Sequence, residues 1–153
     1  NTPSKQPLYP ALEQYCREHN VHEYTPHNIR EAVIAIRQSK LPDPTVIPNC
    51  GSFFKNPIIE NEKVQALLEK YPTMPNWPHG ELTKLSAAWL IEAVGLKGYT
   101  DENTGMGTYE KQPLVIVNRH AKDAHDVQEF VKFVTNKVYD TFGIHLEREP
   151  ELL

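Results

Sequence analysis

The chain has 153 residues, 39% of them hydrophobic and 24% charged, with a formal net charge of -4. That length buries a real core as one ordinary domain, and the composition is that of a soluble globular chain. The negative balance excludes non-specific nucleic-acid binding, which needs a basic field to displace phosphate counterions. A small anionic ligand stays compatible, because a few converging lysines act locally whatever the net charge.

Cys16 and Cys50 make no disulfide framework and read as two free thiols in a reducing cytoplasm, with a single disulfide left open. No apolar run approaches the roughly 18 residues of a membrane span, and no signal peptide is visible. A cytoplasmic location is expected. The chain starts at Asn1 and stops at Leu153, both reading as cut ends, so a fragment is expected.

Residues 1–9 read as an extended lead-in, and Pro10 suits the first position of a helix running to about His19. Thr25 caps a second helix with Pro26 at its first position; Ile29, Val33 and Ile36 share a face, with Ala32 beside them. That helix ends near Lys40, since Leu41 and Asp43 each precede a proline. Residues 41–57 are mostly loop, with Ser52–Lys55 as the strand-like piece. Glu60–Tyr71 returns to helix on Val64, Leu67, Leu68 and Tyr71, and 71–80 is again a proline-broken loop. Ser86 caps a helix over Ala87–Val94, stopped by Gly95. Leu114–Val117 is a buried strand. Asp123 starts the longest helix, with Val127, Phe130, Val131, Val134 and Val138 on one face and Gly143 at its end. Ile144–Glu147 alternates and closes the fold as a strand. The interspersed pattern, without repeat or Gly-rich βα turn, predicts one α+β domain with a small sheet packed against several helices.

The segment Asn49-Cys50-Gly51-Ser52-Phe53-Phe54-Lys55-Asn56-Pro57 carries the most chemistry. On local pattern it is a strand entered through a glycine turn, with Phe53 and Phe54 split between core and surface. Yet Gly51 lets backbone approach a ligand, and Ser, Lys and Asn follow within five residues. A polar row beside two aromatics suits a pocket wall. Seven histidines suggest a metal, but neither His19 with His22 nor His120 with His125 has a third ligand, so no metal site is expected. Cys50 has no His partner and reads as a buried inert thiol.

Gly51-Ser52-Phe53-Phe54-Lys55-Asn56-Pro57, preceded by Lys40-Leu41-Pro42-Asp43-Pro44, resembles the UDP-N-acetylenolpyruvoylglucosamine reductase family. The resemblance continues in Lys84–Glu92, Gly95–Gly98, Gln112–Asn118 and Phe142–Glu149, in family order from residue 9 to the end. It implies a flavoenzyme of peptidoglycan synthesis that uses NADPH and FAD to turn UDP-N-acetylglucosamine enolpyruvate into UDP-N-acetylmuramate. It further implies that residues 10–153 are the C-terminal substrate-binding domain, with 1–9 a remnant of a preceding flavin-binding domain. The partners implied are the nucleotide-sugar substrate and the enzyme's own N-terminal FAD-binding domains, with neither nucleic acid nor membrane. Alone, the fragment is expected to bind no FAD and to be inactive.

The same resemblance implies the site. Ser52 matches the proton donor, and Glu149, in Leu146-Glu147-Arg148-Glu149, the glutamate that stabilises the intermediate. Lys40 matches the lysine on the substrate diphosphate, Asn56 a substrate-contacting asparagine, and Tyr9 a tyrosine reaching over the substrate. Trp77 sits where some members place a tyrosine on a loop over the uridine, and Lys97 and Gln112 match contacts to the nucleotide-sugar. Read from the residues alone, each has an ordinary role: Lys40 and Lys97 as surface lysines near helix ends, Tyr9 as packing, Asn56 as a turn residue, Glu147, Glu149 and Glu151 as solvated charges. Two rival readings remain: a nucleotide-sugar-binding module without redox chemistry, which needs neither Ser52 nor Glu149, and an interaction domain using the proline-rich loops.

Overall fold

The computed structural model describes residues 9–150, and the chain divides into two compact units, one ending at Leu41 and one beginning at Pro42. The first unit is a helix pair, α1 (Pro10–Glu18) and α2 (Pro26–Lys40). Both helices begin on proline, whose missing N–H costs nothing at that position. Thr25 caps α2 by accepting the Asn28 N–H at 3.2 Å, and Leu41 turns the chain into extended backbone before Pro42. Leu12 and Cys16 of α1 form a small core with Ala32 and Ile36 of α2, with Ile29 and Val33 packed against it.

The second unit runs β1 (Asn49–Ser52), β2 (Ile58–Glu60), α3 (Asn61–Lys70), β3 (Asn76–His79), β4 (Leu82–Leu85), α4 (Ala87–Ala93), β5 (Met106–Thr108), β6 (Val115–Asn118) and α5 (Ala124–Phe142). The expected α+β class holds. The strands form two antiparallel three-stranded sheets where one was expected, ordered β1-β6-β5 and β2-β4-β3. Strand β3 lies in the segment 71–80 expected as loop, β2 ends on Glu60 where a helix was expected to start, and β4 and β5 lie where no element was expected. Strand β3 contains Pro78, which is tolerated because β3 is an edge strand.

The helix stops are those the residues dictate. The Ser86 hydroxyl accepts the Trp89 N–H, and the Asp123 carboxylate accepts from His125 and Asp126. Gly95 and Gly143 take left-handed φ of 76° and 63° behind α4 and α5. One core joins both sheets and the three helices of this unit, with Phe54, Leu85, Ile91, Ile116, Val134 and Phe142 among its members.

The segment 144–147 buries alternate side chains, as its pattern predicts, but it is extended chain outside either sheet. It pairs locally with the chain after β1: the Lys55 N–H donates to the Glu147 carbonyl and the Glu149 N–H to the Phe53 carbonyl, around an antiparallel bridge between Phe54 and Arg148. This pairing explains a second departure. Phe53 and Phe54 are both buried, not split between core and surface, because the returning segment covers the chain after β1.

Candidate active site

Strand β1 is an edge strand with a kink. Asn49 faces Val117 and Ser52 faces Val115, so β1 carries one residue more than β6 over the same span. The extra residue is a bulge at Cys50-Gly51, and Gly51 adopts φ 80°, a left-handed conformation costly for any residue with a Cβ. The ladder is regular on either side: Asn118 N–H bonds to the Pro48 carbonyl and Phe53 N–H to the Leu114 carbonyl. The bulge therefore sets the local backbone of Ser52, whose side chain is exposed.

Ser52 and Glu149 come from distant parts of the chain and are brought to neighbouring backbone. The Glu149 N–H sits 2.8 Å from the carbonyl of Phe53, the residue after Ser52. Glu149 is exposed; Glu147, two residues earlier, lies 3.9 Å from the Lys55 ammonium in an open surface pair. Gln112 approaches the same edge, since a hydrogen-bonded turn (Val115 N–H to Gln112 carbonyl, 3.0 Å) joins it to the residue facing Ser52.

Asn56 has a structural bond of its own. Its Oδ1 accepts the Ala87 N–H at 3.0 Å, satisfying the first amide of α4, which the Ser86 cap leaves open. Beyond the other end of α4, Lys97 is paired with Glu92 at 2.8 Å, both partly exposed. Trp77 lies on β3 and not on a loop as expected, cross-strand from Lys84 of β4, and is about half exposed. In the first unit, Lys40 is the exposed last residue of α2, and Tyr9 is the exposed residue preceding α1, its hydroxyl making no cap bond.

Two cavities border this region. A groove of about 900 Å³ runs between α5 and residues 146–150, with Phe53, Val131 and Arg148 among its walls; Ser52 and Glu149 are not. A smaller one of about 390 Å³ is walled by Lys55, Asn56, Lys63, His145 and Glu147 among others. Among the described residues no group of His, Cys, Asp and Glu is arranged to hold a metal ion. Both cysteines are free, and Cys50 is exposed where a buried thiol was expected, because it lies on the bulge of an edge strand. Shielding by neighbouring chain raises its thiol above the ordinary value, so it is a poor nucleophile at neutral pH. The strand-to-helix connections β2–α3, β4–α4 and β6–α5 carry no glycine, so none offers the phosphate cradle of a dinucleotide site.

The second unit is thus an α+β domain in which exposed Ser52 and Glu149 lie on neighbouring backbone, with half-buried Gln112 one turn from the residue facing Ser52. Residues 43–153 match the family described as UDP-N-acetylenolpyruvoylglucosamine reductase, C-terminal domain. Among similar proteins, the UDP-N-acetylenolpyruvoylglucosamine reductase of Chromobacterium violaceum is 42% identical over 95% of this chain and 42% of its own length. That of Bdellovibrio bacteriovorus is 45% identical over 87% of this chain and 39% of its own, and that of Dechloromonas aromatica 47% identical over 82% and 37%. The chain belongs to the UDP-N-acetylenolpyruvoylglucosamine reductase family and matches its C-terminal domain. It spans about two fifths of the length of these relatives.

Glu149 is one of three glutamates in its tail by pattern, and only the pairing with Phe53 brings its backbone beside the β1 exit. Asn49, given no role by sequence, accepts the Gly51 N–H on its Oδ1 at 3.0 Å.

Proposed function

We propose that this chain is the substrate-side domain of a cytoplasmic reductase that converts UDP-N-acetylglucosamine enolpyruvate to UDP-N-acetylmuramate for peptidoglycan. The observation that supports this best is the 2.8 Å bond between Glu149 N–H and Phe53 carbonyl, which brings the backbone of Glu149 beside the residue after Ser52. Because the chain matches the C-terminal domain and spans about two fifths of its relatives' length, we assign FAD and the NADPH that reduces it to the remainder of the enzyme. A reduced flavin bound there would supply the hydride for the enolpyruvyl methylene.

What this chain contributes is the other half of the reduction. Once a hydride has joined the methylene carbon, the former double-bond electrons lie on the adjacent carbon and its carboxylate as an enol-like intermediate. Glu149, as the protonated acid, donates a hydrogen bond to the carboxylate on which charge builds, from a backbone position held by its pairing with Phe53. The Ser52 O–H bond then breaks as a new C–H bond forms on that carbon, and the serine oxygen recovers its proton from solvent. A hydroxyl is a weak acid, but the acceptor carbon is strongly basic, so placement within hydrogen-bond reach is what the reaction demands. Lys40 holds the diphosphate as a compact cation, Asn56, Lys97 and Gln112 contact the nucleotide-sugar, and Trp77 and Tyr9 cover it.

Turnover of the full-length enzyme in deuterated water tests the assignment. The product carries a deuteron at the carbon next to its carboxylate, because a hydroxyl donor exchanges with solvent. A product without deuterium there removes a serine hydroxyl from the step.

A further inference from the structure

We propose that Asn49 is the positioning residue for Ser52, holding the β1 bulge in the one geometry that presents the hydroxyl. This rests on the reading of Ser52 as proton donor. The Asn49 carboxamide makes three backbone bonds at once. Its Oδ1 accepts the Gly51 N–H at 3.0 Å, and its Nδ2 donates to the Ile47 carbonyl at 2.8 Å and the Pro42 carbonyl at 3.4 Å. The two regular ladder bonds nearest the bulge lie outside it, at Pro48 and Phe53. Between them the chain contains a left-handed glycine with nothing within 4 Å of where its Cβ would be. The side of Gly51 where a Cβ would sit is open, and the Asn49 carboxamide is the side chain that holds its amide.

The consequence is local. Without the Oδ1 acceptor, the Gly51 amide is free to rotate and the bulge can relax toward a regular pairing. A one-residue change of register turns every following side chain to the opposite face of a strand. Phe53 and Phe54 are anchored in the core, so the displacement falls on Ser52, between the bulge and that anchor. The two Nδ2–H bonds tie the same side chain to the loop 42–47, which keeps the carboxamide from turning over.

The test is pre-steady-state kinetics of the full-length enzyme. Asn49→Ala slows reoxidation of the reduced flavin by the enolpyruvyl substrate by about 10²-fold, the scale of a displacement near 1 Å, while flavin reduction by NADPH keeps its rate. Asn49→Asp retains the acceptor for Gly51 and recovers roughly tenfold of that loss. Asn49→Ala added to Ser52→Ala costs nothing further, because Asn49 acts only through the serine. Losses that multiply in the double variant, an Asp variant as slow as Ala, or unchanged reoxidation in Asn49→Ala each overturn the proposal. If Ser52→Ala alone leaves reoxidation unchanged, the donor assignment itself falls; if Ser52→Ala is slow and the Asn49 variants are normal, the positioning role alone falls.

Discussion

Glu149 is fastened to the residue after Ser52: its N–H donates to the Phe53 carbonyl at 2.8 Å, across a sequence separation that spans most of the second unit. The bond uses backbone only, so the Glu149 side chain stays free for chemistry and can be changed without undoing the pairing. In the full-length enzyme, Glu149→Ala therefore slows flavin reoxidation by the enolpyruvyl substrate roughly 10²–10³-fold, the range seen when one transition-state donor is removed. Glu147→Gln, which loses only an exposed contact to Lys55 of 3.9 Å, leaves that rate unchanged. Stopped-flow absorbance of the flavin separates the two; equal effects would place the acidic group elsewhere in the tail.

Asn56 serves two masters in this account, the first turn of α4 and the nucleotide-sugar. Asn56→Asp keeps an acceptor for the Ala87 N–H and preserves stability, while it places a negative charge beside an anionic ligand and weakens binding. Asn56→Ala loses both, at a stability cost of about 1 kcal/mol. Urea denaturation of this chain and substrate KM of the full-length enzyme give the two readouts. An Asn56→Ala variant as stable as the parent would show that the bond to Ala87 is immaterial.

Two glycines separate conformational strain from steric fit. At Gly51 an added Cβ meets nothing within 4 Å, so Gly51→Ala carries only the left-handed penalty, about 1–2 kcal/mol. At Gly107, on β5, the added Cβ falls 2.4 Å from the Tyr99 carbonyl oxygen, a backbone atom that cannot swing aside. Gly107→Ala is thus the more damaging change, and denaturant midpoints of the two variants should differ in that order. The reverse order would contradict the packing around β5.

Acid sensitivity has a local signature in the loop after α2. The Thr45 hydroxyl at 2.7 Å and the Thr45 N–H at 2.9 Å both donate to Asp43 Oδ1 and hold its carboxyl below the ordinary value. The folded pKa is depressed, so the stabilisation is present above the unfolded value of about 3.9 and disappears as pH falls through the folded one. Thr45→Val removes the hydroxyl, the larger cause, and moves the Asp43 midpoint upward. Carboxyl carbon NMR titration reads this directly; an unmoved midpoint would exclude the hydroxyl as the cause.

Helices were legible because their ends are chemical: Pro10 and Pro26 at first positions, Thr25, Ser86 and Asp123 as caps, Gly95 and Gly143 as stops. Most strands were not. Strands β2, β3 and β5 have three or four residues, and β3 contains a proline, so their identity depends on partners far along the chain. The Ile144–Glu147 segment shows the converse, with the burial rhythm of a strand but only a short bridge to pair with. The same division runs through the site. Ser52 and Glu149 carry no local mark of function, and what their residues could suggest was a polar row after a glycine. Their joint role comes from family resemblance, and their proximity from a pairing that no local periodicity contains.

The most direct measurement is the oxidative half-reaction of Ser52→Ala in the full-length enzyme, followed by flavin absorbance after reduction with NADPH. Reduction by NADPH proceeds at the parent rate, and reoxidation by the enolpyruvyl substrate slows about 10²–10⁴-fold, the contribution expected of a positioned proton donor. Reoxidation at the parent rate would contradict the placement of the proton donor at the exit of the β1 bulge.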